Sequence, residues 1–351
     1  SDKKLKKHNT QVVSHLGQMR LTNRNIRNAS FLPLVTGVTS FIPYKVTPSY
    51  SGVYIVQAPT GSGKTQRVGL PFRKWCYSNK HTFLSIAHLR SLIREMSERL
   101  GTDNYEDEKI AVKQALRHGR FDQWNSSEDA LSVCLPSIDY EYFQDFVKRN
   151  KYVFIDEISQ VIEAFTTDDM FHHTNSRLIY ERLCEIVKQA QCLIVADATI
   201  NERVVEFIER CRPGEKFNFV QIAPKDEGKT AYLHDSEAAL YRHILNKVML
   251  DNNNVWISCD TASKVEELER ALSHYDHVKC LAITGPNQKK TEQAAFLSNP
   301  EHESKKYNVI IASSVISSGL SIEHDHFDFV AGFFSGSTVK PTDAYQMIGR
   351  V

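Results

Sequence analysis

The stretch Tyr54-Ile55-Val56-Gln57-Ala58-Pro59-Thr60-Gly61-Ser62-Gly63-Lys64-Thr65 constrains this chain more than any other. A short apolar run reads as a buried strand, and a glycine-rich loop follows it directly, with a helix after the loop. The glycines let successive backbone N–H groups turn inward around a phosphate, and the helix adds the positive end of its dipole. The pattern predicts a nucleotide cradle made by Thr60, Gly61, Ser62, Gly63, Lys64 and Thr65. In it Lys64 reaches the β and γ phosphates and the Thr65 hydroxyl ligates Mg²⁺. The alternative, a Gly-Lys-Thr in a surface loop, leaves the strand before it and the helix after it unexplained.

At 351 residues the chain has material for two domains of ordinary size. Lys and Arg number 43 against 42 Asp and Glu, so a polyanionic partner must be held by local patches and not by net charge. The 7 cysteines are scattered without a Cys-x-x-Cys pair, and several sit in apolar runs such as Gln191-Cys192-Leu193-Ile194-Val195. They read as core thiols in a reducing compartment and not as metal ligands. No run of 18 apolar residues exists, so no membrane span is expected. The charged start Ser1-Asp2-Lys3-Lys4 lacks the apolar segment of a secretion signal, and the absent initiator Met suggests a trimmed N-terminus. The expected location is an intracellular, reducing compartment.

Residues 1–49 form a basic N-terminal segment: Lys3, Lys4, Lys6, Lys7, Arg20, Arg24 and Arg27 face one acid, Asp2, among the first thirty or so. A solvated tail and a phosphate-contacting arm are both compatible with it. From Val53 onward, short β-rich runs alternate with longer amphipathic segments, the pattern of a parallel-sheet α/β domain. Strands are expected at 53–57, 82–86, 131–135, 152–155 and 192–196, with a helix over 89–100 and a helical surface excursion over 101–129. Breaker clusters at 211–215 and 224–228 mark a boundary. The alternation then restarts, with strands at 255–259, 278–283, 308–312 and 327–334. The expected division is a first domain over 50–212, a linker over 213–235 and a second domain over 236–351.

About ninety residues after the phosphate loop, the apolar run Tyr152-Val153-Phe154-Ile155 ends in Asp156-Glu157. Carboxylates at the C-terminal edge of a parallel strand point into the ligand crevice, where Asp156 can hold Mg²⁺ and Glu157 can polarise an attacking water. A second apolar strand ends in Asp197-Ala198-Thr199. These residues either cap the following helix or relay the state of the nucleotide site to the second domain. Arg90, Ser91, Ser137 and Thr284-Gly285 fall at strand-to-helix or strand-to-loop edges, where hydroxyls and backbone amides can grip phosphates without reading bases, while Ser137 reads equally as a turn residue and Arg90 as a solvated helix start. His324 and His326 are a pair without further ligand signature and read as packing, and His172-His173 read as a polar loop.

The order of these motifs resembles the superfamily 2 helicases and translocases. Ala58 to Thr65 looks like their motif I, Ser85-Ile86-Ala87-His88-Leu89-Arg90 their motif Ia, Asp156-Glu157-Ile158-Ser159 their motif II, and Asp197-Ala198-Thr199 their motif III. Trp256 to Thr261, Ala312 to Ser321 and Gln346-Met347-Ile348-Gly349-Arg350 sit like motifs IV, V and VI. The continuation of motif V as Gly-Leu-Ser, together with Asp-Glu-Ile-Ser-Gln, resembles the herpesvirus-type replication origin-binding helicases and their plasmid and phage relatives.

The resemblance implies two tandem RecA-like parallel-sheet domains with ATP and Mg²⁺ in the cleft between them. It implies a motor on single-stranded or forked DNA, largely indifferent to sequence, with 3′-to-5′ polarity, replication proteins as partners, and a bacterial cytoplasm or a host-cell replication site as its location. Carried onto this chain, Gln346 and Arg350 face the γ phosphate, Arg350 as an arginine finger, while Gly319 joins the nucleotide site and Ser313 the nucleic-acid track. Motif VI calls for a further arginine, and the chain stops at Val351, so the second domain is expected to be truncated there. Two alternatives stand beside the helicase: a double-strand translocase that does not unwind, and an ATP-gated DNA-binding module with weak turnover.

Overall fold

Four strands of the first half are buried along their whole length, as a parallel sheet covered by helices on both faces requires. The computed structural model describes residues 29–31, 50–58, 62–117, 129–166, 171, 175–221, 230–314, 322, 324–336, 338–339 and 341–349. The chain divides into two units, Ser1–Lys225 and Asp226–Val351.

In the first unit the strands are β1 (Ala29–Phe31), β2 (Gly52–Gln57), β3 (Phe83–Ala87), β4 (Asp103–Asn104), β5 (Ala130–Cys134), β6 (Tyr152–Asp156), β7 (Cys192–Asp197) and β8 (Phe217–Gln221). They form one eight-stranded sheet in the order β1-β8-β2-β7-β6-β3-β5-β4, and every pairing is parallel. The register sets Gln57 opposite Asp197 and Asp156 opposite Ala196. The C-terminal ends of β2, β7 and β6 therefore lie level along one edge.

Helices cover this sheet for reasons visible in their sequences. Arg90–Leu100 buries Leu92, Ile93, Met96 and Leu100, one stripe at helical spacing. It stops where Gly101 takes φ +62°, a conformation without steric penalty only for glycine. Ser176–Gln189 and Glu202–Cys211 are started by Asn175 and Asn201, whose side chains accept backbone N–H groups of the first turn.

The stretch 213–235, expected to be a linker, contributes β8 to the first sheet. Arg212 is the reason: its guanidinium pairs with Glu215 and donates to the carbonyl oxygens of Val187 and Ala190, turning the chain back toward β2. Phe217, Phe219 and Val220 are then buried. The surface excursion expected over 101–129 holds the short β4 and a helix over Tyr105–Arg117. Its remainder to residue 128 lies outside the described residues.

The second unit carries β9 (Val255–Cys259), β10 (Cys280–Ile283), β11 (Val309–Ala312) and β12 (Phe329–Phe333), in the order β10-β11-β9-β12, all parallel. Alternation along β9 splits its side chains between two faces. Val255 and Ile257 pack with Ile244, Val248 and Leu268, while Trp256 packs with Leu281, Phe296 and Ile310. Helices over Glu237–Met249 and Ala262–Leu272 are capped by Ser236 and Thr261.

Candidate active site

The phosphate-loop segment follows β2 in the chain and is followed by a helical turn over Thr65–Gly69 that continues as the helix Leu70–Ser78. Thr60 and Gly61 lie outside the described residues. Ser62 is buried and Gly63 takes φ +80°, the left-handed conformation that lets the loop close on the helix start. The Lys64 ammonium donates to the Ala58 carbonyl oxygen at 3.0 Å. The Ala58 N–H donates to the Asp197 carbonyl at 2.9 Å, tying the loop to the end of β7.

Thr65 and Asp156, both expected as Mg²⁺ ligands, lie together: Thr65 Oγ1 donates to Asp156 Oδ2 at 3.4 Å. The other Asp156 oxygen accepts the Glu157 N–H at 3.1 Å. Asp156 is 5 % exposed, and burial raises its carboxyl above the usual range; Lys64 pulls it down and Asp197 pushes it up. A buried carboxylate beside a hydroxyl is a hard-oxygen pair that gains from a divalent cation, so these residues fit Mg²⁺.

Glu157 holds φ +50°, ψ +51°, a left-handed backbone costly for a residue with a Cβ, on the order of 1–3 kcal/mol. The turn sets Glu157 Oε2 at 3.7 Å from His88 Nδ1, at the end of β3. His88 is buried, and burial pushes its imidazole down to about 4. The sequence reading quoted His88 only as part of a motif. Its position at the C-terminal end of a central parallel strand is the signal that marks it.

Asp197 does not cap the next helix; Asn201 does, accepting the Val204 N–H at 3.2 Å. The Asp197 carboxylate instead accepts the Ser159 N–H at 2.8 Å, the Ser159 hydroxyl, and the Thr199 N–H at 3.1 Å. Ser159 Oγ also reaches the Thr199 carbonyl at 2.8 Å. Asp197 and Thr199 thus join the segment after Asp156-Glu157 to the segment after β7.

Of the expected phosphate-track residues in the first unit, Arg90 is exposed at the start of its helix and lies 3.7 Å from Glu106. Ser91 follows it in the same helix. Ser137 is buried and its hydroxyl accepts from Lys109 Nζ at 3.0 Å. That ammonium also sits 4.3 Å from the Tyr140 ring centroid and 5.0 Å from that of Tyr105. Burial lowers the Lys109 ammonium, with Arg90 repulsion adding to it. The sequence reading missed Lys109, because nothing local separates it from the other lysines of its helix.

In the second unit Thr284 is buried, and its N–H donates to Asn287 Oδ1 at 2.7 Å, so that amide serves the turn. Gly285 has open space where a Cβ would stand. Ser313 is buried, its N–H donating to the Ile283 carbonyl at 3.0 Å. Gln346 is half-buried in the helix Pro341–Ile348, whose Met347 carbonyl accepts from Ser258 Oγ at 3.2 Å. Gly319 and Arg350 lie outside the described residues, as do His172 and His173. His324 pairs with Ser304 Oγ at 2.9 Å and His326 with the Tyr307 carbonyl at 3.0 Å, contacts within the fold. Among the described residues no group of three or more His, Cys, Asp or Glu is placed to hold a metal. Nor is any helix among them long and apolar enough to cross a membrane.

A parallel sheet bearing a phosphate loop on one strand, with an Asp-Glu pair ending the strand next but one, defines a P-loop nucleotide-binding unit. Residues 45–208 match the DEAD/DEAH box helicase family and residues 237–351 the helicase conserved C-terminal domain. The chain belongs to superfamily 2 of the helicases.

Among known proteins it is similar to the replication origin-binding protein of human herpesvirus 7 (strain JI), 23% identical over 310 residues, covering 85% of this chain and 36% of that protein. It is also similar to the helicase/primase complex protein of African swine fever virus (isolate Tick/Malawi/Lil 20-1/1983), 20% identical over 197 residues, 56% of this chain and 18% of that one. The chain thus spans about a third or less of the length of these relatives. The solved structure of Mss116p bound to ssRNA and AMP-PNP matches with a TM-score of 0.61 at 14% identity, over 87% of this chain and 65% of that chain. The fold is two tandem RecA-like α/β domains.

Proposed function

We propose that this chain is the motor core of an ATP-dependent DNA helicase, serving replication initiation in a virus, phage or plasmid. The observation that carries the reading is the Thr65–Asp156–Glu157 arrangement at one sheet edge, with the Lys64 charge acting on the same carboxylate. Thr65 and Asp156 would hold Mg²⁺, which supplies Lewis-acid charge on the phosphate oxygens. Lys64 exchanges the Ala58 carbonyl for β and γ phosphate oxygens. Glu157 orients the attacking water and accepts its proton, and water's oxygen bonds the γ phosphorus as the bond to ADP breaks.

Gln346 and Arg350 are assigned to the γ phosphate, and Gly319 to the nucleotide, on their motif positions. Arg90, Ser91, Ser137 and Lys109 in the first unit, with Thr284, Gly285 and Ser313 in the second, are assigned to the nucleic-acid backbone. The herpesvirus relative is named a replication origin-binding protein, which supports a replication role; the DNA substrate, the replication-protein partners and the intracellular setting belong to the proposal.

The test is steady-state ATP hydrolysis alone, with single-stranded DNA and with single-stranded RNA, beside Glu157→Gln. The proposal expects several-fold stimulation by DNA, abolished by the variant. Stimulation by RNA alone would move the substrate to RNA. A rate near zero with DNA still bound would favour an ATP-gated binding module. DNA-stimulated hydrolysis without strand displacement on a forked substrate would favour a double-strand translocase.

A further inference from the structure

At the edge of the first sheet opposite the phosphate loop, where β3, β5 and β6 begin, the surface opens into a cleft of about 540 Å³. Lys80, His81, Asp129, Arg149, Lys151 and Tyr152 line it. The volume falls in the range of ligand-binding pockets, roughly 300–1,000 Å³. Lys80, Arg149 and Lys151 are exposed, and none of the three forms an ion pair among the described residues. Lys151 only touches the Gln189 side-chain oxygen at 3.4 Å, and the Arg149 guanidinium lies over the Phe146 ring at 5.6 Å. The floor is rigid: Tyr152 is 4 % exposed, its ring stacked on His81 at 4.5 Å and flanked by Trp75 at 5.3 Å.

We infer that this cleft is a docking site for an acidic peptide segment of another protein. Three unpaired cations around one concave surface call for an anionic occupant. The chemistry of the remaining lining selects among anions. Asp129 stands exposed in the same cleft and repels an occupant that carries only anionic oxygens, so the occupant has to bring N–H donors beside its charge, which a peptide backbone offers and a phosphodiester backbone does not. Single-stranded nucleic acid is held by stacking on open aromatic faces, and here the Tyr152 ring is enclosed by His81 and Trp75. Tyr152 and Asp156 lie at opposite ends of β6, about 13 Å apart at 3.3 Å per residue, so a bound segment leaves the nucleotide edge free. The inference rests on neither the ATP reading nor the nucleic-acid reading.

The experiment is fluorescence anisotropy of a short labelled Glu/Asp-rich peptide with the whole chain and with the double variant Lys80→Glu/Lys151→Glu. The peptide is expected to bind, to weaken as salt rises, and to lose roughly tenfold or more in affinity in the variant. At constant ionic strength, excess single-stranded oligonucleotide or inorganic phosphate leaves its binding unchanged. Far-UV circular dichroism checks the fold of the variant, and Arg149→Gln/Lys151→Gln, which removes charge without reversing it, gives a loss of the same direction. Absence of peptide binding, wild-type affinity in both double variants, or displacement by the oligonucleotide or phosphate would each overturn the proposal, the last by making the cleft a phosphate site.

Discussion

His88 Nδ1 lies 3.7 Å from Glu157 Oε2, a buried imidazole set against the carboxylate proposed to position water. Burial alone pushes His88 down to about 4, so the ring is neutral at physiological pH and the contact is not an ion pair. Its Nδ1 has no hydrogen-bond partner, and its carbonyl accepts from Cys134 Sγ at 3.2 Å. The imidazole thus acts on Glu157 as a wall that limits where the carboxylate can go.

Replacing that wall should blur the carboxylate and leave the phosphate loop intact. His88→Ala is expected to lower nucleic-acid-stimulated turnover by about ten- to a hundredfold, the scale of a catalytic group displaced by a fraction of an ångström to an ångström. Nucleotide affinity should be unchanged, because Lys64 and Thr65 do not touch His88. Parallel measurement of kcat and of labelled-nucleotide binding checks it. Equal loss of both would make His88 a purely structural residue.

The same burial gives the first unit a pH dependence of definite sign. In the unfolded chain His88 takes up a proton near the usual 6.5, and in the folded chain it resists until about 4. Between those values the unfolded state binds more protons, so this contribution is fully present above pH 6.5 and is lost as pH falls through about 4. The span of about 2.5 pH units corresponds to about 3 kcal/mol in all. Denaturant unfolding at a series of pH values should show His88→Gln with a shallower slope in that window. Superimposable slopes for the two proteins would remove His88 from the account.

Asp156 carries the opposite logic. Its carboxylate is desolvated and faces Asp197, with Lys64 offsetting only part of the cost. Asp156→Asn removes the charge and keeps an oxygen to accept the Glu157 N–H. The variant is therefore expected to melt a few degrees higher than wild type in the absence of nucleotide and metal. It should gain less than the wild-type protein from nucleotide with Mg²⁺, because Lys64 and the phosphate loop remain while the metal-dependent part of the mass-action stabilisation is lost. Thermal melts with and without Mg²⁺ and a non-hydrolysable nucleotide separate the two effects, and a variant melting lower without ligand would contradict the electrostatic argument.

Much of this arrangement is legible before any coordinates. The apolar runs ending at Gln57, Asp156 and Asp197 identify three strands, because strands buried on both faces must be apolar throughout. Position in the sheet is not legible in the same way. Phe217-Asn218-Phe219 sits behind a Pro-Gly turn and reads as linker, and only the long-range bonds from Arg212 to Val187 and Ala190 bring it back to β2. Among site residues, Thr65 and Asp156 follow from spacing and strand context. His88 and Lys109 depend on contacts across β3–β6 and across the Tyr105–Tyr140 pair, and these exist only in three dimensions.

The clamp on Asp197 carries the last prediction. One carboxylate accepts from the Ser159 N–H, the Ser159 hydroxyl and the Thr199 N–H, and Ser159 Oγ bonds the Thr199 carbonyl as well. Removing the carboxylate leaves half-buried donors on two segments without their acceptor, so Asp197→Ala should destabilise the first unit by about 2 kcal/mol. Ser159→Ala removes only the hydroxyl and should cost about 1 kcal/mol. Because the two variants delete a shared bond, the double variant should fall short of their sum by roughly 1 kcal/mol. Urea unfolding of the four proteins closes the cycle. Additivity within about 0.3–0.5 kcal/mol would mean that the strand ends are held independently, and that Asp197 does not transmit position from the Asp156-Glu157 turn to Thr199.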